Sequence, residues 1–133
     1  MIEIDTNVLV RYLAKDDLEQ AQEATVFLAN NQCLILLTVL LETVWVLGSK
    51  SGYNWSRNQV IERIKKILGL PTVVVQNPSS IVQALKCYEA GMDFADALHL
   101  ANSDKKFATF DYRLSKKAES IHIPQVVILL GKK

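Results

Sequence analysis

The sequence lacks the residues that indicate a disulfide-stabilised, membrane-bound or exported protein. It has two cysteines, Cys33 and Cys87, whose spacing fits no zinc or redox motif, so we expect free thiols in the core. The longest apolar run, residues 33–41, is well short of the ~20 residues that a membrane span needs. The N-terminus carries Glu3 and Asp5 where an export signal would be basic, so we expect a cytoplasmic protein.

An excess of charge of one sign is also lacking. Fifteen basic residues stand against fourteen acidic ones, with a formal net charge of +1. The chain therefore has no long-range field that would hold nucleic acid, and any phosphate partner must be bound locally. Half of the residues are apolar, and the length of 133 residues predicts a single domain over 1–133 with one core.

The apolar patterns predict alternating strands and helices. Buried strands are expected at residues 1–5, 33–37, 72–75, 107–109 and 126–130. Helices are expected between them, with Asn7 and Ser56 as caps, a start at Thr38 after strand two, and one helix over 93–104. Continuous apolar strands separated by helices predict an α/β fold whose parallel sheet has helices on both faces. Right-handed crossovers then place every strand-to-helix junction at one edge.

Four acidic residues fall at or near that edge. Asp5 follows strand one, and Glu42 lies one turn into the helix after strand two. Asp96 lies in the helix that leads into strand four, and Asp111 follows that strand. Each has an alternative structural role, because Asp5 and Asp111 could be helix caps, Glu42 a first-turn residue and Asp96 a solvated surface acid.

The structural alternatives are weakest for Glu42 and Asp96. Glu42 is the only charged residue between Cys33 and Leu47, and Asp96 interrupts an apolar segment. A buried carboxylate is costly unless it is paired or binds a metal, and basic partners are scarce in both windows. Carboxylates without His or Cys favour Mg²⁺ or Mn²⁺ over zinc. Such an ion, with a carboxylate that activates water, predicts phosphodiester hydrolysis.

Four segments carry a resemblance to a known family. They are Asp5-Thr6-Asn7, Thr38 four residues before Glu42, Asp93-Phe94-Ala95-Asp96-Ala97-Leu98-His99-Leu100-Ala101, and Thr109-Phe110-Asp111. In this order and spacing they resemble the PIN-domain nucleases, most closely the VapC-type toxin ribonucleases. The resemblance covers essentially the whole chain.

The resemblance implies a set of site residues. The metal-binding and catalytic acids would be Asp5, Glu42, Asp96 and Asp111. The residues that orient them would be Thr6, Asn7, Thr38 and Thr109, although capping explains Thr6 and Asn7 equally well. For Asp93, an N-cap and an auxiliary ligand remain equal alternatives. The family also implies strand order 3-2-1-4-5, Mg²⁺- or Mn²⁺-dependent endonucleolytic cleavage of RNA, a homodimer and a VapB-type antitoxin.

The RNA contacts are undefined because the surface is only weakly basic. The candidates for basic contacts are Arg11, Lys15, Lys50, Arg113, Lys116 and Lys117, although a solvated surface charge is the favoured explanation for each one. Trp45 and Trp55 could stack on bases. Trp45 shares an apolar face with Leu41, which favours a core or dimer-interface position. A packed or surface position is favoured over a proton-transfer role for His99, and His122 has less support.

Two other α/β classes lack a required residue. A haloacid-dehalogenase-like phosphatase needs a second Asp where this chain has Asn7, and a receiver domain needs an Asp where Gln76-Asn77 stand. The remaining alternative is a PIN-like scaffold that binds RNA or protein without cleaving. The presence of all four acids argues against it.

Overall fold

The computed structural model describes residues 1–131, so the last two residues of the predicted domain, 132 and 133, lie outside the described residues. The described part contains seven helices and five strands. It divides into two compact units, a first unit of residues 1–77 and a second unit that begins at Pro78. We describe each unit by itself, and the single domain over 1–133 stays a prediction.

The first unit alternates strands and helices. Its elements are β1 (Ile2–Glu3), α1 (Thr6–Ala14), α2 (Leu18–Asn30), β2 (Cys33–Ile35), α3 (Leu37–Gly48), α4 (Arg57–Leu68) and β3 (Val73–Val75). β2 lies between β1 and β3 and pairs in parallel with both. Cys33 is opposite Ile2 on one side and opposite Val73 on the other. These strands have the relative order 3-2-1 that the family resemblance implies.

The second unit has the same alternation with fewer elements. They are α5 (Pro78–Glu89), α6 (Phe94–Ala101), β4 (Lys106–Thr109), α7 (Tyr112–Glu119) and β5 (Val126–Leu129). β4 and β5 pair in parallel, with Lys106 opposite Val126. The predicted α/β class with parallel strands is thus confirmed. The pairing of strand one with strand four, which would complete the order 3-2-1-4-5, stays a prediction.

Of the N-caps predicted for α1 and α4, the one for α4 is confirmed and the one for α1 is not. Asp5 is the N-cap of α1, with extended backbone and a carboxylate that accepts a hydrogen bond from the Thr6 N–H, so the prediction of Asn7 as cap was wrong. Ser56 caps α4 as predicted. Its hydroxyl accepts from the N–H of Gln59, and the Gln59 side chain accepts from the N–H of Ser56.

The boundaries of two further elements differ from the predicted ones. β2 ends at Ile35, and α3 begins at Leu37 rather than Thr38. The side-chain oxygen of Gln76 accepts a hydrogen bond from the Leu37 N–H at 2.8 Å, which satisfies a first-turn donor that no local side chain caps. The predicted helix over 93–104 is shorter, because α6 ends at Ala101.

The core consists mainly of aliphatic side chains contributed by the helices. The bulkiest of the fully buried ones include Leu9, Leu13, Leu28, Ile35, Leu40, Leu47, Ile64, Ile67, Ile81 and Leu100. Cys33 and Cys87 are free and buried, as predicted, and burial raises the pKa of both thiols. Within residues 1–131, no helix has the length and apolar character needed to cross a membrane.

Candidate functional site

Thr6 connects two of the predicted acids in the first unit. It is the first residue of α1, and its side chain is buried. Its N–H donates to Oδ1 of Asp5 at 2.8 Å, and its hydroxyl donates to Oε1 of Glu42 at 2.5 Å. Asp5 and Glu42 are themselves exposed. Two carboxylates that lie far apart in the sequence are therefore hydrogen-bonded to one buried threonine.

The parallel pairing of β1 with β2 explains why these residues meet. Asp5 follows β1, and α3 begins two residues after β2, so the starts of α1 and α3 lie at the same edge of the sheet. Glu42 lies in the second turn of α3, and α1 packs against α3. The cap of α1 uses one oxygen of Asp5, which leaves its second carboxylate oxygen for another partner.

Three acids of the second unit influence one another. Asp93 caps α6 by accepting from the Asp96 N–H at 3.2 Å, and Asp111 caps α7 by accepting from the Leu114 N–H at 3.0 Å. Asp96 is half-buried, and its pKa is raised by burial first and then by the charges of Asp93 and Asp111. His99 acts in the opposite direction and lowers that pKa. Burial and two nearby negative charges thus both disfavour the ionised form of Asp96.

The threonine and asparagine candidates differ in their contacts. Thr109 contacts an acid directly, because its hydroxyl accepts a hydrogen bond from the Asp111 N–H at 3.0 Å. Thr38 is exposed one turn before Glu42, and Asn7 is exposed in the first turn of α1. Thr6 and Thr109 are therefore the two that contact the predicted acids through their hydroxyl groups.

The acidic residues fit a hard divalent cation in their donor chemistry. All the side-chain donors are carboxylate oxygens, which Mg²⁺ and Mn²⁺ accept. The ion pairs Arg11–Asp16 and Lys116–Glu119 involve none of these four acids. A cation would offset the burial and the nearby negative charges that raise the pKa of Asp96. The same residues contain no group of three or more His, Cys, Asp or Glu side chains that could hold a metal ion as it stands.

Comparison with known proteins identifies the family. Residues 2–120 match the family described as PIN domain, which is most of the chain. The chain belongs to the PIN-domain family. No curated protein matches it. PIN domains are typically metal-dependent nucleases that use Mg²⁺ or Mn²⁺, so the family supports a hydrolase with RNA as a partner. The predicted VapC-type subfamily is a finer assignment and stays a prediction.

Several of the predicted RNA-binding cations of this PIN domain already have protein partners. Arg11 lies 3.6 Å from Asp16 and donates through Nε to the Gln20 side chain at 2.6 Å. Lys15 lies over a tyrosine ring, 4.6 Å from its centroid, and Lys116 lies 3.8 Å from a glutamate. Of the other three, Lys50 and Arg113 are exposed and Lys117 is half-buried. A role in RNA binding stays a prediction for all six.

The tryptophans and histidines occupy different environments. Trp45 is 62% exposed, so the core position predicted for it was wrong, and the alternative of a dimer-interface position stays a prediction. Trp55 is half-buried, with its ring edge-on to Tyr53 and the Arg63 guanidinium 5.4 Å from its centroid. His99 and His122 are both exposed, in agreement with the surface position favoured from the sequence for His99.

The burial of the Asp96 carboxylate, together with the nearby charges of Asp93 and Asp111, predicts a stabilising substitution. A raised carboxyl pKa means that folding disfavours the charged form of Asp96. The ionised carboxylate therefore lowers the stability of the fold above the folded-state pKa, and this loss of stability disappears as the pH falls toward the ordinary pKa of 3.8. We expect Asp96→Asn to raise the melting temperature slightly at pH 7, with a difference that shrinks toward pH 4. Thermal unfolding by circular dichroism measures this.

The matched control is Asp104→Asn, which removes the charge of an exposed acid in the loop after α6. It should leave the melting temperature unchanged at both pH values. A melting temperature of Asp96→Asn below that of the wild type at pH 7 would contradict the view that the ionised Asp96 carboxylate destabilises the fold.

Proposed function

We propose that this PIN domain is an endoribonuclease that hydrolyses RNA phosphodiester bonds with Mg²⁺ or Mn²⁺. The observation that carries the proposal is the pair of carboxylates, Asp5 and Glu42, hydrogen-bonded to the buried Thr6 at the end of β1. A buried threonine that donates to two acids is suited to orient metal ligands. The family match supports a nuclease at the coarse level.

The proposed roles of the residues follow from their chemistry. Asp5, Glu42, Asp96 and Asp111 would hold the ion, and the family resemblance implies that they act together. The bound ion would stabilise negative charge on the scissile phosphate and the leaving oxygen. One of the carboxylates would accept a proton from the attacking water. Thr6 would orient the Glu42 carboxylate through its hydroxyl, and Thr109 would fix the backbone at Asp111 by accepting a hydrogen bond from its N–H.

The direct test is cleavage of RNA by the purified protein. We expect cleavage with Mg²⁺ or Mn²⁺ and none in excess EDTA, because charge on the phosphate would then be unopposed. Asp5→Asn and Asp96→Asn should each lower the rate at least about 100-fold. Asp104→Asn should cleave as the wild type does. Labelled single-stranded RNA separated on a denaturing gel gives the rates.

Two outcomes of this test would count against the proposal. Undiminished cleavage in EDTA would contradict a metal mechanism. A wild-type protein that binds Mn²⁺ but cuts no RNA would favour the alternative of a PIN-like scaffold that binds RNA or protein without cleaving it.

A second test addresses the role of Thr6. Thr6→Val keeps the side-chain shape but removes the hydroxyl, so the Glu42 carboxylate loses its donor. We expect Mn²⁺ affinity to fall by about 10- to 100-fold, measured by isothermal titration calorimetry. Thr6→Ser keeps a hydroxyl and should bind Mn²⁺ nearly as the wild type does. Equal affinity of Thr6→Val and wild type would show that Thr6 does not position Glu42.

The biological context is a finer proposal, supported by the resemblance of the four sequence segments to VapC-type toxins. In this proposal the protein acts in the cytoplasm as a homodimer and is inhibited by a VapB-type antitoxin. We expect expression of the chain alone in a bacterium to slow growth, while Asp96→Asn, which lacks a proposed ligand, does not. Normal growth in the presence of active enzyme would contradict a toxin role.

A further inference from the structure

The exposed face of α3 carries an aromatic side chain beside a predicted metal ligand. Thr38, Glu42 and Trp45 are exposed, whereas Leu40, Thr43, Val44 and Leu47 on the other side of the helix are buried. With 62% of its surface accessible, Trp45 is far more open than a tryptophan in a folded core.

The spacing on the helix places Trp45 next to Glu42. Residues three apart in an α-helix are surface neighbours, with Cβ atoms about 5–6 Å apart. Glu42 is fixed in the first unit by the hydrogen bond from Thr6, and Trp45 follows it by three residues on the same helix. If RNA binds through a phosphate on a cation at Glu42, the aromatic ring of Trp45 would therefore lie within one helical turn of that phosphate.

The surroundings of Trp45 favour a nucleobase over an apolar protein surface. Three and four residues before Trp45 on the same helix lie exposed Glu42 and half-buried Leu41, and the polar C-cap Ser49 follows four residues after it. The core of a protein interface is apolar and poor in charged residues, whereas the exposed face of α3 carries Glu42 next to Trp45. A base needs one π face and tolerates polar neighbours, because its edges form hydrogen bonds.

We propose that Trp45 stacks on a nucleobase of single-stranded RNA adjacent to the bond that is cleaved, and so contributes to substrate selection. This inference rests on the proposed ribonuclease function and adds a substrate contact to it. It also explains how a chain of nearly balanced charge holds RNA, because stacking does not depend on a basic surface.

Binding is tested in Asp96→Asn protein, so that the RNA is not cut. Trp45→Ala should weaken binding of fluorescein-labelled 12-residue oligouridine or oligoadenosine by roughly 5- to 150-fold, while Trp45→Phe keeps most of the affinity. Leu18→Ala, which shortens another exposed apolar side chain of the first unit, should change nothing. In otherwise wild-type protein, Trp45→Ala should bind Mn²⁺ with the wild-type affinity, which separates loss of stacking from damage at Glu42.

Fluorescence locates the contact, because the chain has only two tryptophans. RNA should quench the emission of the Trp55→Phe protein, in which Trp45 remains, and should leave the emission of Trp45→Phe unchanged. If the wild type cleaves RNA but Trp45→Ala binds RNA with unaltered affinity, the inference would be overturned and the ribonuclease proposal would remain intact. A change of oligomeric state in Trp45→Ala by sedimentation velocity would assign Trp45 to a contact between copies instead. Failure of the wild type to bind or cleave RNA would overturn both proposals.

Discussion

The hydrogen bond from the Thr6 hydroxyl to Glu42 is the interaction on which the candidate site of the first unit depends. Thr6 is buried, whereas the two acids that it contacts are exposed, so the threonine is the fixed point and the carboxylates are oriented by it. The parallel pairing of β1 with β2 supplies the backbone for this contact, because it brings the starts of α1 and α3 together. The short strands thus matter chiefly for the side chains that they bring to one edge.

Structural and functional explanations of the acids are compatible rather than exclusive. Asp5, Asp93 and Asp111 are all N-caps, as their positions before helices suggest. A cap uses one carboxylate oxygen, so capping orients the side chain and leaves the second oxygen available for another partner. Asp96 is different, because it is half-buried near two like charges and its pKa is raised at a cost to stability. Such a cost is expected at sites shaped by function.

Local patterns predicted the fold class and most elements, but they failed where a contact comes from a distant residue. The Ser56 cap of α4 was predictable because its partner Gln59 is three residues away. The start of α3 was not, because the donor at Leu37 is satisfied by Gln76 from beyond β3. The core position predicted for Trp45 was wrong because its apolar neighbour Leu41 was given more weight than its spacing of three residues from Glu42. The four acids were predicted from strand ends and family resemblance, whereas the hydrogen bond that joins two of them required the structure.

The central claim is that the Glu42 carboxylate, oriented by Thr6, serves metal-dependent RNA cleavage rather than structure alone. Glu42→Gln tests it most directly, because the amide oxygen can still accept the Thr6 hydrogen bond while the charge that binds a cation is lost. With Mn²⁺ and single-stranded RNA, the account predicts that Glu42→Gln folds and melts as the wild type does but no longer cleaves. Cleavage by Glu42→Gln at the wild-type rate would contradict the account.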